Sequence, residues 1–360
     1  MNKFAFFIHP LDMRDLIRFE PKVAGKRREL VEKVLEWLPP YKASHITGVR
    51  SLTGEEIEGY FIAVPLLPNQ YLSLPEEMLM EKLVAGGRIA EELGCRILGL
   101  GGFTAVVGNG GYKLARRLDI PVTSGNTYTI ATALQGTEIT ARRLGINLPY
   151  RKAAVIGATG AIGRVCSQVL APKVKKLTLI ARNEPRLKFL AQEIKDDFGF
   201  EPEITTDLTQ GLKDAELIIS ATSSTGSLIT PEMIPFGAVI CDVSLPHDVV
   251  RDVATRRKDV MVIEGGLVEV PGNPEFNSNF GYPPGIALAC MAETMILTLE
   301  GRFEPYSIGR KIKLEKVAEI EGMALKHGFK LAGLRSFDLP VTDEVIERVK
   351  AAREKGTDPA

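Results

Sequence analysis

Along most of the chain, short apolar runs alternate with stretches whose apolar residues recur every three to four positions, the pattern of a mixed α/β protein. In the first part, residues 4–8 read as a buried strand. Residues 26–38 have helical spacing and stop at Pro39-Pro40. Residues 45–52 and 58–66 read as two strands about a Thr53-Gly54 turn, followed by a helix from Pro75 to Gly94. Short strands are expected at 96–100 and 122–124, the second running into a helix that Thr127 can cap and that ends near Leu144.

From Lys152 the texture changes. Nearly continuous apolar segments at 153–157, 177–181, 203–205, 217–221, 239–243 and 260–264 are separated by helical stretches. Strands buried on both faces read this way, and their alternation with helices implies a doubly wound parallel sheet. After Pro283-Pro284 the chain turns helical again, with helices expected from about Pro284 to Leu299, at 311–327 and from Asp343. Residues 355–360 are expected to fray. The fold class that follows is α/β: a Rossmann doubly wound parallel sheet over 149–283, preceded by a smaller α/β substrate domain over 1–148. C-terminal helices over 284–360 are expected to pack back on the first domain.

Composition narrows the functional classes. A chain of 360 residues exceeds one ordinary core, which agrees with more than one domain. Lys+Arg and Asp+Glu balance at 45 each, so global charge gives no reason to expect nucleic acid. No apolar run reaches membrane-spanning length, so no stable membrane insertion is expected. The apolar N-terminus reads as a first strand rather than a signal peptide. Cys95, Cys166, Cys241 and Cys290 lie far apart without CxxC spacing, and His9, His45, His247 and His327 show no ligand spacing. Neither a metal site nor a disulfide framework is expected, and a reducing cytoplasm is the simplest setting.

One motif carries chemistry by itself. The strand ending Val155-Ile156-Gly157 runs into Ala158-Thr159-Gly160-Ala161-Ile162-Gly163 at the head of a helix. Gly157 permits the tight turn, Gly160 the approach of a pyrophosphate, and Gly163 close packing of helix on strand. The free amides at that helix start suit phosphate oxygens, and Thr159, Gly160, Ala161 and Ile162 are expected to line the cofactor with the glycines. An NAD site places Asp or Glu at the end of the second strand; here Arg182 follows Ala181, and a guanidinium suits a 2′-phosphate. NADP(H) is therefore the expected cofactor. Ala221 and Thr222 at one strand end, and Gly265 and Gly266 at another, are expected to rim it, although an ordinary glycine turn accounts for the last two equally well.

Catalytic chemistry is less legible. Cys290 lies in Ala287-Leu288-Ala289-Cys290-Met291-Ala292-Glu293, and free cysteine is most often a small core residue. With a helix starting at Pro284 it would fall in the second turn, where the dipole does little for its thiol. Glu293 shares its face and could serve proton transfer or simply solvate that face.

Taken in order, Gly99-Leu100-Gly101-Gly102-Phe103-Thr104, Thr123-Ser124-Gly125-Asn126-Thr127, the Gly157 motif, Glu264-Gly265-Gly266-Leu267-Val268-Glu269 and the segment from Ala289 to Gly301 give a more specific pattern. Together they resemble the long-chain acyl-[acyl-carrier-protein] reductases, from about His9 to His327, with departures at Pro10, Thr123-Ser124 and Tyr128. The resemblance implies NADPH-dependent reduction of a fatty acyl thioester to the aldehyde through a cysteine-bound intermediate, with Cys290 as nucleophile. Asn126 or backbone amides would then serve the oxyanion, and Thr104 and Thr127 lie on neighbouring loops. It also implies an acyl-carrier protein or acyl-CoA as the substrate carrier. Carrier protein is acidic, so Lys26-Arg27-Arg28, Lys173 with Lys175-Lys176, and Arg310-Lys311 with Lys313 are candidate docking patches. Two other readings share the cofactor motif: a shikimate-dehydrogenase-like oxidoreductase acting on a small polar substrate, and an NADP-binding regulator without catalysis.

Overall fold

The structure, a computed structural model, describes residues 1–279, 281–337 and 339–355. Of the segment expected to fray, all but Lys355 lies outside the described residues. The chain forms two compact units, each discontinuous in sequence: Met1–Tyr128 with Leu267–Ala332, and Thr129–Gly266 with the residues from Gly333 onward. These units cut across the three consecutive segments expected from the hydrophobic pattern. The reason lies in pairing and packing, because residues after 266 complete the first unit's sheet and cover one of its faces.

The first unit is built on a six-stranded sheet. Its strands are β1 (Asn2–Ile8), β2 (Tyr41–Arg50), β3 (Glu56–Ala63), β4 (Leu98–Gly99) and β5 (Val122–Thr123). The sixth is a late strand, Gly272–Glu275, in the order late strand, β2, β3, β1, β4, β5. β1 runs parallel to β3 and β4, and β4 parallel to β5, while β2 is antiparallel to β3. Phe4 to Phe7 are all buried, as a central strand covered on both faces requires. On one face the helix Glu76–Glu92 lays Leu79, Met80 and Leu83 into a core with Phe7, Ile62 and Leu98. On the other face the helix Ala289–Leu299 packs on β1 and β4. It comes so close that a Cβ on Gly99 would lie 2.0 Å from the Thr294 hydroxyl and 2.5 Å from the Phe6 ring. Every residue of this helix except Cys290 is buried, which is why its sequence lacks a polar face.

The helix begins at Ala289, not near Pro284 as the sequence suggested. Ile286–Leu288 instead pairs with Leu267–Glu269, which also pairs with Lys330–Leu331 in a small antiparallel sheet. Strands of two to four residues carry too little periodicity to be read from sequence.

The second unit holds the expected parallel sheet. In chain order its strands are β6 (Lys152–Ile156), β7 (Lys176–Ile180), β8 (Glu203–Thr205), β9 (Leu217–Ser220), β10 (Val239–Asp242) and β11 (Met261–Glu264). In space they run β8-β7-β6-β9-β10-β11, all parallel, which is the Rossmann order 3-2-1-4-5-6 with its reversal point between β6 and β9. Ala154, Ile156, Ile218 and Ile240 feed one core cluster. Asn183 caps the helix Glu184–Phe198 by accepting the Arg186 amide at 3.0 Å, and left-handed Gly199 closes it.

The close approach at Gly99 makes a direct prediction. Gly99→Ala should cost about 1–3 kcal/mol through overpacking against Phe6 and Thr294. Urea unfolding followed by circular dichroism measures it, and an unchanged midpoint would contradict the packing described.

Candidate active site

In open α/β sheets, ligands collect outside the carboxyl ends of the parallel strands. Within the first unit, β5 ends there in Thr123, then Ser124-Gly125, and the helix Asn126–Arg143 starts. Gly125 has φ +76, and a Cβ on it would sit 2.3 Å from both Cα and Cβ of Cys290. Only glycine satisfies both the left-handed backbone and this contact. Cys290 is therefore pressed against the turn that opens the next helix.

Cys290 is half-buried and is the second residue of its own helix, one turn nearer the N-terminus than the sequence implied. Burial pushes its thiol up to about 12, the nearby Glu293 charge adds to this, and the amides of Met291 and Cys290 pull the other way by favouring the thiolate. The other three cysteines are buried and their thiols are raised chiefly by desolvation, as core cysteines should be.

Glu293 is fully buried and is not a loose acid beside the thiol. Its Oε1 accepts from the Thr123 hydroxyl at 2.5 Å and the Ser307 hydroxyl at 2.6 Å. Its Oε2 accepts from the Tyr128 amide at 3.0 Å and from the Thr127 hydroxyl. Four donors fill the acceptor capacity of a carboxylate. Glu293 rather than Thr127 thus caps the helix Asn126–Arg143, taking the amide that Gly125 has no side chain to reach. The Ser124 hydroxyl donates to the Ser307 carbonyl, adding a further tie to the same segment. In the sequence Thr123 and Ser124 stood out only as departures from the family pattern, and Ser307 not at all. Ser307 in particular carries no local signal, since it joins Glu293, 14 residues away, to Thr123 and Ser124, more than 180 residues away.

Asn126 follows Gly125, is half-buried, and its side chain has no hydrogen-bond partner among the described residues. Thr104 is buried and bonds only its own turn, to Gly101, so it is turn chemistry. His9 accepts the Phe103 amide at 3.0 Å, and burial lowers its pKa to about 4, which keeps the ring neutral.

In the second unit each motif glycine has a different reason. A Cβ on Gly157 (φ +74) would lie 2.3 Å from the Ala221 carbonyl oxygen, and one on Gly163 would lie 2.4 Å from the Gly157 carbonyl oxygen. These two bind β6 to β9 and the helix to β6. A Cβ on Gly160 would meet only the Gly157 oxygen, at 3.2 Å, and the Ala221 oxygen, at 3.8 Å. That leaves the loop of Thr159 and Gly160 and the first helical residues, Ala161 and Ile162, open on their other side, all half-buried. Arg182, at the end of β7, is exposed and has no ion-pair or hydrogen-bond partner among the described residues. The open glycine turn at the sheet's reversal point and this unengaged guanidinium fit NADP(H).

The rim at β9 and β10 is a hydrogen-bonded acid cluster. Fully buried Asp248 accepts from Ser244 at 2.5 Å, Ser220 at 2.6 Å and Thr222 at 2.8 Å, while the Thr222 amide donates to Ser244 at 2.9 Å. Asp242 accepts the amides of Val249 and Ser244. Burial, with the Asp248 charge, raises Asp242 to about 6 against the pull of His247. His247, given no role from sequence, lies 3.7 Å from Asp242 and 3.9 Å from Glu264, with a buried Nδ1 that has no hydrogen-bond partner. Gly265 has a packing reason, since a Cβ there would press on Val243, Ala133 and Cys241, and Gly266 (φ +90) makes the turn after β11. Among the described residues no group of three or more His, Cys, Asp or Glu could hold a metal ion, and no helix is long and apolar enough to cross a membrane.

Known proteins resemble both parts. The shikimate/quinate 5-dehydrogenase family profile matches residues 138–264, the stretch that carries the Rossmann sheet. Over 351 residues the chain is 30% identical to the aminotransferase PigE of a Serratia species, covering 93% of this chain and 40% of that protein. The chain thus spans well under half the length of that relative. It is 29% identical over 307 residues to the long-chain acyl-[acyl-carrier-protein] reductase of Synechococcus elongatus, covering 81% of this chain and 87% of that one. Among solved structures, the nucleotide-binding domain of glutamyl-tRNA reductase from Thermoplasma volcanium covers 37% of this chain and 84% of its own, at 19% identity and TM-score 0.28.

Two outcomes are expected. Glu293→Ala strands the Tyr128 amide and three hydroxyls, and should cost about 3 kcal/mol in a denaturant titration; a loss below half that would mean the donors repair themselves. Because the folded thiol of Cys290 is raised to about 12, its iodoacetamide alkylation should climb about tenfold per pH unit from pH 7 to 10. A plateau near the ordinary thiol range would show that the amides outweigh burial.

Proposed function

We propose that this NADP(H)-binding chain is an oxidoreductase that reduces an acyl thioester, delivered on acyl-carrier protein or coenzyme A, to the aldehyde. The observation that carries the reading is Cys290: a half-buried thiol in the first turn of an otherwise buried helix, held against Gly125 by a glycine-only contact. The likeness to the Synechococcus acyl-[acyl-carrier-protein] reductase, which extends over most of both chains, supports the same substrate class.

In this mechanism the Cys290 sulfur attacks the thioester carbonyl. A new C–S bond forms, the carrier's C–S bond breaks, and the proton leaving Cys290 ends on the carrier thiol. The amides of Cys290 and Met291 favour the attacking thiolate. The Asn126 amide side chain, without another partner, donates to the oxyanion of the tetrahedral intermediate. Glu293 is a positioning residue, since its lone pairs are engaged in holding the two helix starts together. When bound, NADPH supplies the hydride that, with one proton, converts the Cys290 thioester to aldehyde and free thiol. Thr159, Gly160, Ala161 and Ile162 would hold its pyrophosphate on the turn that Gly157 and Gly163 shape, and Arg182 its 2′-phosphate, with Ala221, Thr222, Gly265 and Gly266 along the rim.

The profile match to shikimate/quinate dehydrogenases supports a second reading, oxidation of a small polar alcohol; it falls on the cofactor-binding stretch and does not reach Cys290. Intact-protein mass spectrometry separates the two. Mixed with an acyl-carrier-protein thioester and no NADPH, the wild-type chain should gain one acyl mass, and Cys290→Ser should gain none. A folded, NADPH-binding chain that takes up no acyl group would sink the covalent mechanism. For the cofactor, Arg182→Glu should weaken NADPH binding by about tenfold to a hundredfold and leave NADH nearly unchanged, measured by fluorescence titration.

A further inference from the structure

The helix Arg28–Trp37 has an apolar arc wider than the core it serves. Val31 and Leu35 are buried in a small cluster with Leu16 and Leu67. At helical spacing Leu30, Val34 and Trp37 continue that arc, which spans about 160°. They are 52%, 52% and 86% exposed. Single exposed apolar residues need no explanation, but three in register on one helix form a stripe.

The charges around the stripe are sorted by sign. Glu29, Glu32 and Glu36 lie on the far side: Glu32 binds Arg28 and Asn69, Glu36 binds Gln70, and Glu29 is exposed next to Lys33 at helical spacing. Lys33 borders the Trp37 edge, while Lys22, Lys26 and Arg27 precede the helix; all four are exposed and have no ion-pair partner among the described residues. Leucine, valine and tryptophan with one free cation on their border and three just ahead of the helix are the make-up of a segment that lies in the headgroup region of an anionic membrane. A second copy of the chain is disfavoured as the occupant, because pairing the stripe with itself would bring the same cations together.

We propose that this face docks on an anionic lipid surface, with Trp37, Leu30 and Val34 entering the headgroup boundary and Lys22, Lys26, Arg27 and Lys33 meeting the lipid phosphates. The proposal is independent of the reaction assigned above. It also gives Lys26 and Arg27, flagged in the sequence as a candidate carrier-docking patch, a lipid partner.

The test uses a convenience of the sequence: Trp37 is the sole tryptophan, so tryptophan emission, excited where tyrosine does not absorb, reports on this stripe alone. The full chain is titrated with phosphatidylcholine vesicles, with and without about 30% phosphatidylglycerol, and its co-flotation is followed. Emission should move to the blue and the protein should float with the anionic vesicles only, and added salt should weaken both effects. The double variant Leu30→Asp with Val34→Asp should lose about tenfold or more in vesicle affinity while binding NADPH as before. Unchanged emission without flotation would overturn the proposal. So would a blue shift that grows with protein concentration in the absence of vesicles, accompanied by a dimer mass, which would give the stripe to a second copy. A shift produced by acidic carrier protein and not by vesicles would likewise overturn it.

Discussion

A buried carboxylate with four donors fixes the geometry around Cys290. Glu293 gathers hydroxyls from the end of β5, from the first turn of the helix Asn126–Arg143 and from the distant Ser307, and caps that helix through the Tyr128 amide. Burying such a group is tolerable only if its lone pairs are satisfied, so the three segments cannot drift independently. The position of Cys290 against Gly125 follows from this. Two helix starts meet at one acid, and the nucleophile candidate lies three residues ahead of it on one of them.

The second unit uses carboxylates differently. Asp248 and Asp242 are buried at the ends of the cofactor-binding strands and tie the loops after β9 and β10 into a fixed rim through Ser220, Thr222 and Ser244. Where Glu293 is surrounded by donors alone, Asp242 shares its surroundings with another acid and a histidine, and its carboxyl is raised accordingly.

The sequence made the Rossmann unit legible because its demands fall on local backbone. Gly157 and Gly163 have no room for a side chain, and residues so constrained appear at fixed spacing within one strand-turn-helix. Arg182 was readable for the same reason, being a set distance from that turn. The first unit hid more. Its Cys290 helix is covered nearly all round, so it has no polar face to mark its start, and the three-residue strand Ile286–Leu288 absorbed part of the segment taken for its first turn. Thr123, Ser124 and Ser307 act through partners brought in by tertiary folding, and no periodicity encodes such a meeting. Glu293 was picked out by position, but its work as a cap across segments was not, because i,i+3 spacing speaks only of its own helix.

The interleaving of the two units bears on how the protein is made. The helix that covers β1 and β4, and the late strand that pairs with β2, come from residues 267 onward, after all six Rossmann strands. During synthesis the N-terminal sheet therefore waits, with the Phe6 and Gly99 face unpaired, while the whole nucleotide-binding sheet emerges from the ribosome. The nucleotide-binding sheet has all its strands in hand first; the helix containing Cys290 is among the last parts of the first unit to pack. Its exposed apolar surface in the interim is a window for chaperone binding or aggregation that a chain with two consecutive domains would not have.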